Sequence, residues 1–280
     1  MVIQPLDSAD NKMVRRIKRL ITSRSARTKS QETVIEGSRL VDEALAAGLR
    51  PRVVVYSPKW VEKAEGRAFL TRLQALSVHL FYVTDRLFQE LSQVETPQGI
   101  LAVIPLPAFP NAEWLLDKAP APLLFPIALG IQDPGNLGTL MRAALAAGAH
   151  AFGVTAGTVE VFNPKCVRAS AGAVFRLPVV HLDEGWIETL SAAQVVIRTT
   201  AVDQGVPYFE ADWAQPTALV LGNEGNGLSG DWMSHTEIVT IPMSPASESL
   251  NVSMAGSILL FHAAYRRQAA GIGFLPPAMV

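Results

Sequence analysis

The sequence predicts an α/β fold built on a parallel sheet, and three observations predict it. Apolar runs at Pro126 to Ile131, Ala218 to Leu221 and Ile238 to Ile241 are too short for helices and suit buried parallel strands. Loops of small and polar residues accompany them: Ile131-Gln-Asp-Pro-Gly-Asn-Leu-Gly138, Leu221-Gly-Asn-Glu-Gly-Asn-Gly-Leu-Ser229 and Ser244-Pro-Ala-Ser-Glu-Ser-Leu-Asn-Val-Ser253. Helical sequence then begins at Leu137 to Ala147 after the first loop and at Met254 to Tyr265 after the third. A strand that ends in such a loop lines the crevice where open parallel sheets collect ligands. The three loops are therefore expected to form one site.

From the N-terminus, Lys12 to Lys29 holds Arg15, Arg16, Lys18, Arg19, Arg24 and Arg27 with no acidic residue, while Met13, Val14, Ile17, Leu20 and Ile21 fall at helical spacing. This predicts a helix with an apolar seam and a cationic outer face. Such a face suits nucleic-acid phosphates, with Arg15, Arg16, Arg19, Arg24, Arg27 and Lys29 as the candidate contacts. A solvated helix with no partner is the plainer reading of the same charges. Next, apolar runs at Val53 to Tyr56, Val78 to Val83 and Ile100 to Ile104 alternate with helix-like Ser38 to Ala47, Ala64 to Ala75 and Asp85 to Leu91. Gly48 supplies a helix stop. Residues 1–104 thus read as a small α/β domain. Prolines at 105, 107, 110, 120 and 122 surround Glu113-Trp-Leu-Leu and mark 105–122 as a linker, because proline discourages regular structure. Residues 123–280 form the domain that carries the three loops.

Composition bounds the chemistry. A chain of 280 residues, 49% hydrophobic and with a net charge of −1, can bury a sizeable core as one large or two ordinary domains. The single cysteine, Cys166, cannot form an internal disulfide or, by itself, a metal site. Met1 to Asn11 is short and mixed rather than a signal or membrane segment, so a cytoplasmic protein is expected. Neither a Gly-x-x-x-x-Gly-Lys-Ser/Thr loop nor a Gly-x-Gly-x-x-Gly after a first strand is present, which removes the usual nucleotide-binding anchors. His79, His150, His181, His235 and His262 lack ligand spacing and read as surface or packing residues, so no metal is implied. Ser229, Ser247 and Ser253 sit in no Gly-x-Ser-x-Gly and suit capping better than nucleophilic attack. There is no internal repeat and no low-complexity tract.

At the three loops the chain resembles the SpoU (TrmH-type) RNA ribose 2′-O-methyltransferases of the SPOUT superfamily. Asn-x-Gly-x-x-x-Arg stands as Asn136, Gly138 and Arg142, and Gly-x-Glu-x-x-Gly as Gly222, Glu224 and Gly227; Ile241-Pro-Met followed by Ser249-Leu-Asn-Val-Ser-Met-Ala completes the set. The resemblance implies a trefoil-knotted SPOUT domain using S-adenosylmethionine, held by Gly222, Ile241 and Leu250. It also implies functional roles for Asn136, Arg142, Glu224, Ser249 and Asn251. Upstream, Glu36-Gly-Ser-Arg-Leu-Val-Asp-Glu-Ala resembles the small α/β, ribosomal-protein-like RNA-binding domain often placed before the catalytic one. Family members usually pair through the last helix, so a homodimer is expected, although Met254, Ile258, Leu259, Phe261 and Tyr265 also read as a core-packing stripe. Arg168, Ser170 and Gly172 are further candidates for lining the RNA path. Ribosomal RNA is the first substrate expected; transfer RNA, or a non-catalytic role in RNA binding or ribosome assembly, is the alternative.

Methyl transfer to a ribose hydroxyl needs an in-line pose, a hydroxyl that loses its proton as it attacks, and a dry site. Asn136 offers a carboxamide that donates and accepts, and it is also placed to cap the helix from Leu137. Arg142 reaches for the substrate phosphate or ribose edge. Glu224 accepts from loop backbone or ligand, while Ser249 and Asn251 fix loop and ribose or serve as turn and cap residues. A guanidinium holds its proton too tightly to be a good base, so Arg142 is expected to stabilise the developing alkoxide while the proton leaves to phosphate or water.

Overall fold

The computed structural model describes residues 4–6, 8–76, 78–120, 122–222 and 236–273. The chain divides into two compact units, Met1–Pro107 with Phe162–Arg168, and Ala108–Val161 with Ala169–Val280.

The first unit runs β1 (Gln4–Leu6), α1 (Lys12–Thr22), α2 (Arg24–Ser30), β2 (Glu32–Glu36), α3 (Ser38–Ala46), β3 (Val53–Tyr56), α4 (Pro58–Glu62), α5 (Ala64–Ala75), β4 (His79–Val83), α6 (Asp85–Leu91) and β5 (Ile100–Pro105). Its strands form a mixed sheet in the order β1-β4-β3-β5-β2, with β2 and β3 antiparallel to β5. The cationic segment is two helices rather than one. Ser23 is extended (φ −119°, ψ 114°), and its hydroxyl accepts from the Ala26 amide to start α2. Arg27 folds back into the break and donates to the Leu20 and Ile21 carbonyls, the groups a helix end leaves open. The apolar seam of α1, Val14, Ile17, Leu20 and Ile21, is buried against Val34, Val53 and Val103 of the sheet.

The second unit runs α7 (Ala112–Lys118), β6 (Leu124–Leu129), α8 (Pro134–Ala146), β7 (Phe152–Thr155), α9 (Pro164–Ala169, most of it in the first unit), a short 3-10 turn (Ala173–Phe175), β8 (Val179–Leu182), α10 (Trp186–Ala192), β9 (Val196–Thr200), β10 (Val206–Pro207), β11 (Thr217–Gly222), β12 (Glu237–Thr240) and α11 (Val252–Ala269). The strands pair in the order β10-β12-β9-β11-β6-β7-β8, and every described pairing is parallel. Such a sheet needs helices on its faces, and the inner strands β6 and β11 are accordingly buried along nearly their whole length. Pro126 lies within β6; pairing with β7 is confined to Ile127 and Ala128 beyond it, as suits a residue with no N–H to give. The proline-rich stretch is not irregular throughout. Asn111 caps α7, accepting from the Trp114 amide, and Leu115 is fully buried in the core of this unit.

Two contacts fix α11 on this sheet. Near its start, a Cβ at Gly256 would overlap Leu140 Cδ2 of α8 and stand 2.7 Å from Leu221 Cδ1 of β11, so glycine is what permits the close approach. Near its end, the buried Arg267 donates to the carbonyls of Pro122, Leu123, Trp213 and Gln215. Burial, and then the neighbouring Arg198, push Arg267 down to about 10, which still leaves it charged at neutral pH. His150 lies in the same region, its Nδ1 accepting from the Leu124 amide. Burial, and then Arg267, lower it to about 4, so it packs as a neutral ring. Among the described residues no helix is long and apolar enough to cross a membrane, and no cluster of His, Cys, Asp and Glu is placed to hold a metal.

Candidate active site

Parallel pairing brings the strand ends to one level: Leu129 of β6 stands opposite Gly222 of β11, and Val239 of β12 opposite Thr200 of β9. From these ends two described loops lead into helices. After β6 the chain turns at Asp133, whose carboxylate accepts from the Asn136 amide at 2.8 Å and begins α8 with Pro134 in its first turn. The helix thus starts three residues before the expected Leu137. Asn136 is therefore not its cap, and its side chain is released for other work.

That side chain meets Asn251, the cap of α11. Asn251 Oδ1 accepts from the Ser253 amide (2.9 Å), the Ser253 hydroxyl (2.6 Å) and the Met254 amide (3.4 Å). With the oxygen claimed by three donors, the nitrogen of the same carboxamide points away and donates to Asn136 Oδ1 at 3.1 Å. Asn136 Oδ1 is then satisfied, and its NH2 makes no hydrogen bond among the described residues. Residues 115 apart in the chain are joined here because Gly256 lets α11 lie against α8.

The other residues named from sequence fall around this pair. Arg142 is exposed on α8 and has no hydrogen bond or ion pair among the described residues. Ser249 is exposed in the loop before α11, its carbonyl accepting from the Ser247 hydroxyl. Glu224, Gly227 and Ser229 lie outside the described residues. The expected cofactor contacts leave room and backbone groups open to a ligand. Gly222 ends β11, half-buried, and a Cβ there would meet nothing closer than Leu129 Cδ2 at 3.8 Å, so the fold itself does not demand glycine. Ile241 and Leu250 are also half-buried, and their backbone amides have no acceptor among the described residues. Backbone groups in that condition suit a polar ligand that spans the loop, such as an amino-acid-bearing nucleoside.

The cationic candidates of the first unit separate into classes. Arg15, Arg19 and Lys29 are exposed and line one groove with Lys12, which the sequence reading had used only as a boundary. Arg16 also lines it but is paired with the buried Glu32, whose other oxygen faces Arg52 at 3.1 Å. Arg24 is exposed away from the groove. Arg27 is 2% exposed and serves as an internal cap of α1, so it does not meet a phosphate. Ser170 is fully buried and lines no RNA path; Arg168 donates to Gln93 Oε1. The core-packing reading of the last helix holds for Leu259 alone, since Met254, Ile258, Phe261 and Tyr265 are 58%, 38%, 51% and 67% exposed.

Comparison with known proteins identifies the family. Residues 125–261 match the SpoU rRNA Methylase family, and residues 11–102 match the MRM3-like substrate binding domain. The 23S rRNA (guanosine(2553)-2'-O)-methyltransferase RlmP of Bacillus subtilis is 34% identical over 263 residues, covering 93% of this chain and 99% of its own. A 23S rRNA (uridine(2479)-2'-O)-methyltransferase of Streptomyces viridochromogenes is 30% identical over 261 residues, covering 89% and 88%. The crystal structure of the SpoU methyltransferase AviRb from Streptomyces viridochromogenes, in complex with AdoMet, aligns with a TM-score of 0.79 at 29% identity over 92% of this chain and 100% of that one. With sequence similarity along nearly the whole chain and the fold in agreement, this chain belongs to the SpoU rRNA methylase family.

Proposed function

We propose that this protein is an S-adenosylmethionine-dependent RNA ribose 2′-O-methyltransferase that acts on ribosomal RNA. The observation that carries the reading is the Asn251–Asn136 hydrogen bond at the ends of parallel strands, in a chain similar along nearly its whole length to ribosomal RNA 2'-O-methyltransferases. Those two relatives act on a guanosine and on a uridine, which fits a site that addresses the ribose and leaves the choice of nucleotide to contacts elsewhere.

Bound S-adenosylmethionine supplies an electrophilic methyl on a sulfonium; the backbone of Gly222, Ile241 and Leu250 is what this chain offers to hold it. Asn136 presents its NH2 as a donor toward the ribose or its phosphate, because its oxygen is occupied by Asn251. Arg142 supplies a cation that stabilises the ribose oxygen as it loses its proton, and the proton passes to phosphate or water. Ser249 and Glu224 complete the set by fixing the loops and the ribose. The chain works as a homodimer through the exposed apolar face of α11, follows the knotted path of its family, and acts in the cytoplasm.

The test is transfer of labelled methyl from S-adenosylmethionine to deproteinised ribosomal RNA and to transfer RNA, followed by mapping of the 2′-O-methyl nucleotide. Label is expected in ribosomal RNA and lost in Asn136→Ala and Arg142→Ala. Label confined to transfer RNA would move the substrate. No label together with no cofactor binding would leave only a binding role.

A further inference from the structure

Between α1 and α2 the first unit contains a groove of about 590 Å3 whose walls carry Lys12, Arg15, Arg16, Arg19 and Lys29. Its floor includes Leu20 and Ala26, and among the described residues no acidic side chain lines it. Lys12, Arg15, Arg19 and Lys29 are exposed and without an ion-pair partner among the described residues, whereas Arg16 is held in the wall by Glu32. On α1, Arg15 and Arg19 are four residues apart on one face, a like-charge pair that disfavours an isolated helix. Neither helix has an acidic residue in its first turn to offset this. The protein therefore concentrates positive charge around a concavity when its overall charge is −1. The break at Ser23 and the buried Arg27 create the concavity, since one continuous helix would have no inner corner.

We propose that this groove grips a single RNA strand by its phosphates, the hydrophobic floor lying beneath the sugar or base of an enclosed nucleotide. The proposal rests on the reading of the protein as an RNA methyltransferase and gives its first unit a particular contact surface. The groove is open along its length, which suits a strand laid through it with its backbone against the cations. Lys12 to Arg19 spans about 10 Å of helix, the length of about three nucleotide steps in a stacked strand. Three uncommitted cations along that length, with Lys29 on α2, can each displace a counterion from the strand.

The experiment is fluorescence anisotropy of the full-length protein with a twelve-nucleotide single-stranded RNA across a salt series. Lys12→Gln, Arg15→Gln, Arg19→Gln and Lys29→Gln combined in one variant are expected to weaken low-salt binding by on the order of 100-fold and to flatten the salt dependence by about 0.7 log units per lost contact. A second variant, Arg50→Gln with Lys59→Gln, Lys63→Gln and Arg86→Gln, removes the same charge from exposed positions outside the groove and is expected to bind nearly as wild type. Circular dichroism confirms that both variants fold. Equal losses in the two variants, unchanged binding in the first, or preference of the groove for a hairpin duplex would each overturn the proposal. Methyl transfer keeps the two questions apart: a wild-type protein that methylates ribosomal RNA while the groove variant keeps its RNA affinity and KM rejects the groove and spares the enzyme. A wild-type protein that transfers no methyl rejects the enzyme instead.

Discussion

Asn251 performs two tasks with one carboxamide. Its oxygen starts α11 and its nitrogen holds Asn136, so helix stability and site geometry are coupled through a single planar group. Substitution separates the two. In Asn251→Asp the carboxylate still accepts from Ser253 and Met254, and at a helix N-terminus it is at least as good a cap, so thermal stability should be retained. The donor to Asn136 is gone, so Asn136 turns its own NH2 to the new carboxylate and no longer offers it to the substrate; methyl transfer should fall at least tenfold. Asn251→Ala should lose both, at a stability cost of about 1 kcal/mol. Paired melting and methyl-transfer measurements decide it; an Asp variant as active as wild type would remove the link to Asn136 from the mechanism. Sequence reading selected both asparagines but gave Asn136 a cap role that belongs to Asp133. Asx residues three positions apart compete to cap the helix, and Pro134 in the first turn was the signal for the earlier one. Arg27 failed for a different reason. A basic residue in a basic run carries no mark of burial until the break at Ser23 opens carbonyls for it to satisfy.

At the scale of elements, α11 determines whether the site exists, because the strand ends alone do not bring Asn136 and Asn251 together. The helix touches α8 where Gly256 leaves room, and its far end is pinned by four carbonyls around Arg267. Gly256→Val should therefore push the start of α11 away from Leu140, with a packing cost of about 1–3 kcal/mol and a larger proportional loss of activity. Combining it with Leu140→Ala, which removes the overlapping methyl groups, should recover part of both. If the double variant gains stability without activity, the spacing of α8 and α11 does not control the site. These packing contacts were not legible in the sequence, since Gly256 sits inside a helix where glycine reads only as a weak position. The elements themselves were more legible. Unbroken apolar or amphipathic runs gave β3, β5, β6, β11, α5 and α6 within a few residues. By contrast, Gly153 interrupts β7, His181 interrupts β8 and β10 is only two residues, so none of them shows such a run. The proline-rich stretch concealed α7 because prolines flank that helix without entering it.

For the whole molecule, the exposed side chains of α11 pose the remaining question of assembly. Met254, Ile258, Phe261 and Tyr265 lie at successive four-, three- and four-residue steps, so they form one stripe on the face turned from the sheet. Phe209, 47% exposed, precedes the Arg266 contact in the same unit: Arg266 donates to its carbonyl at 3.0 Å and brings that segment beside the helix. Monomers seldom leave large apolar side chains exposed in a continuous stripe, whereas symmetric dimers bury such faces against a second copy. The first prediction is a wild-type species of twice the 30.2 kDa chain mass in sedimentation velocity at micromolar concentration. Phe261→Glu with Tyr265→Glu should shift it to a monomer, because the charges cannot be desolvated across a two-fold interface. Both residues lie outside the core, so the monomer should keep its fold and its melting transition. Its activity then decides how the molecule works. If each site is complete within one chain, the monomer retains methyl transfer. If the partner completes the site, activity disappears with the dimer and returns when inactive Asn136→Ala chains, which carry an intact α11, are mixed with chains bearing complementary defects. A wild-type protein that remains monomeric and fully active would instead release the stripe on α11 for a different partner.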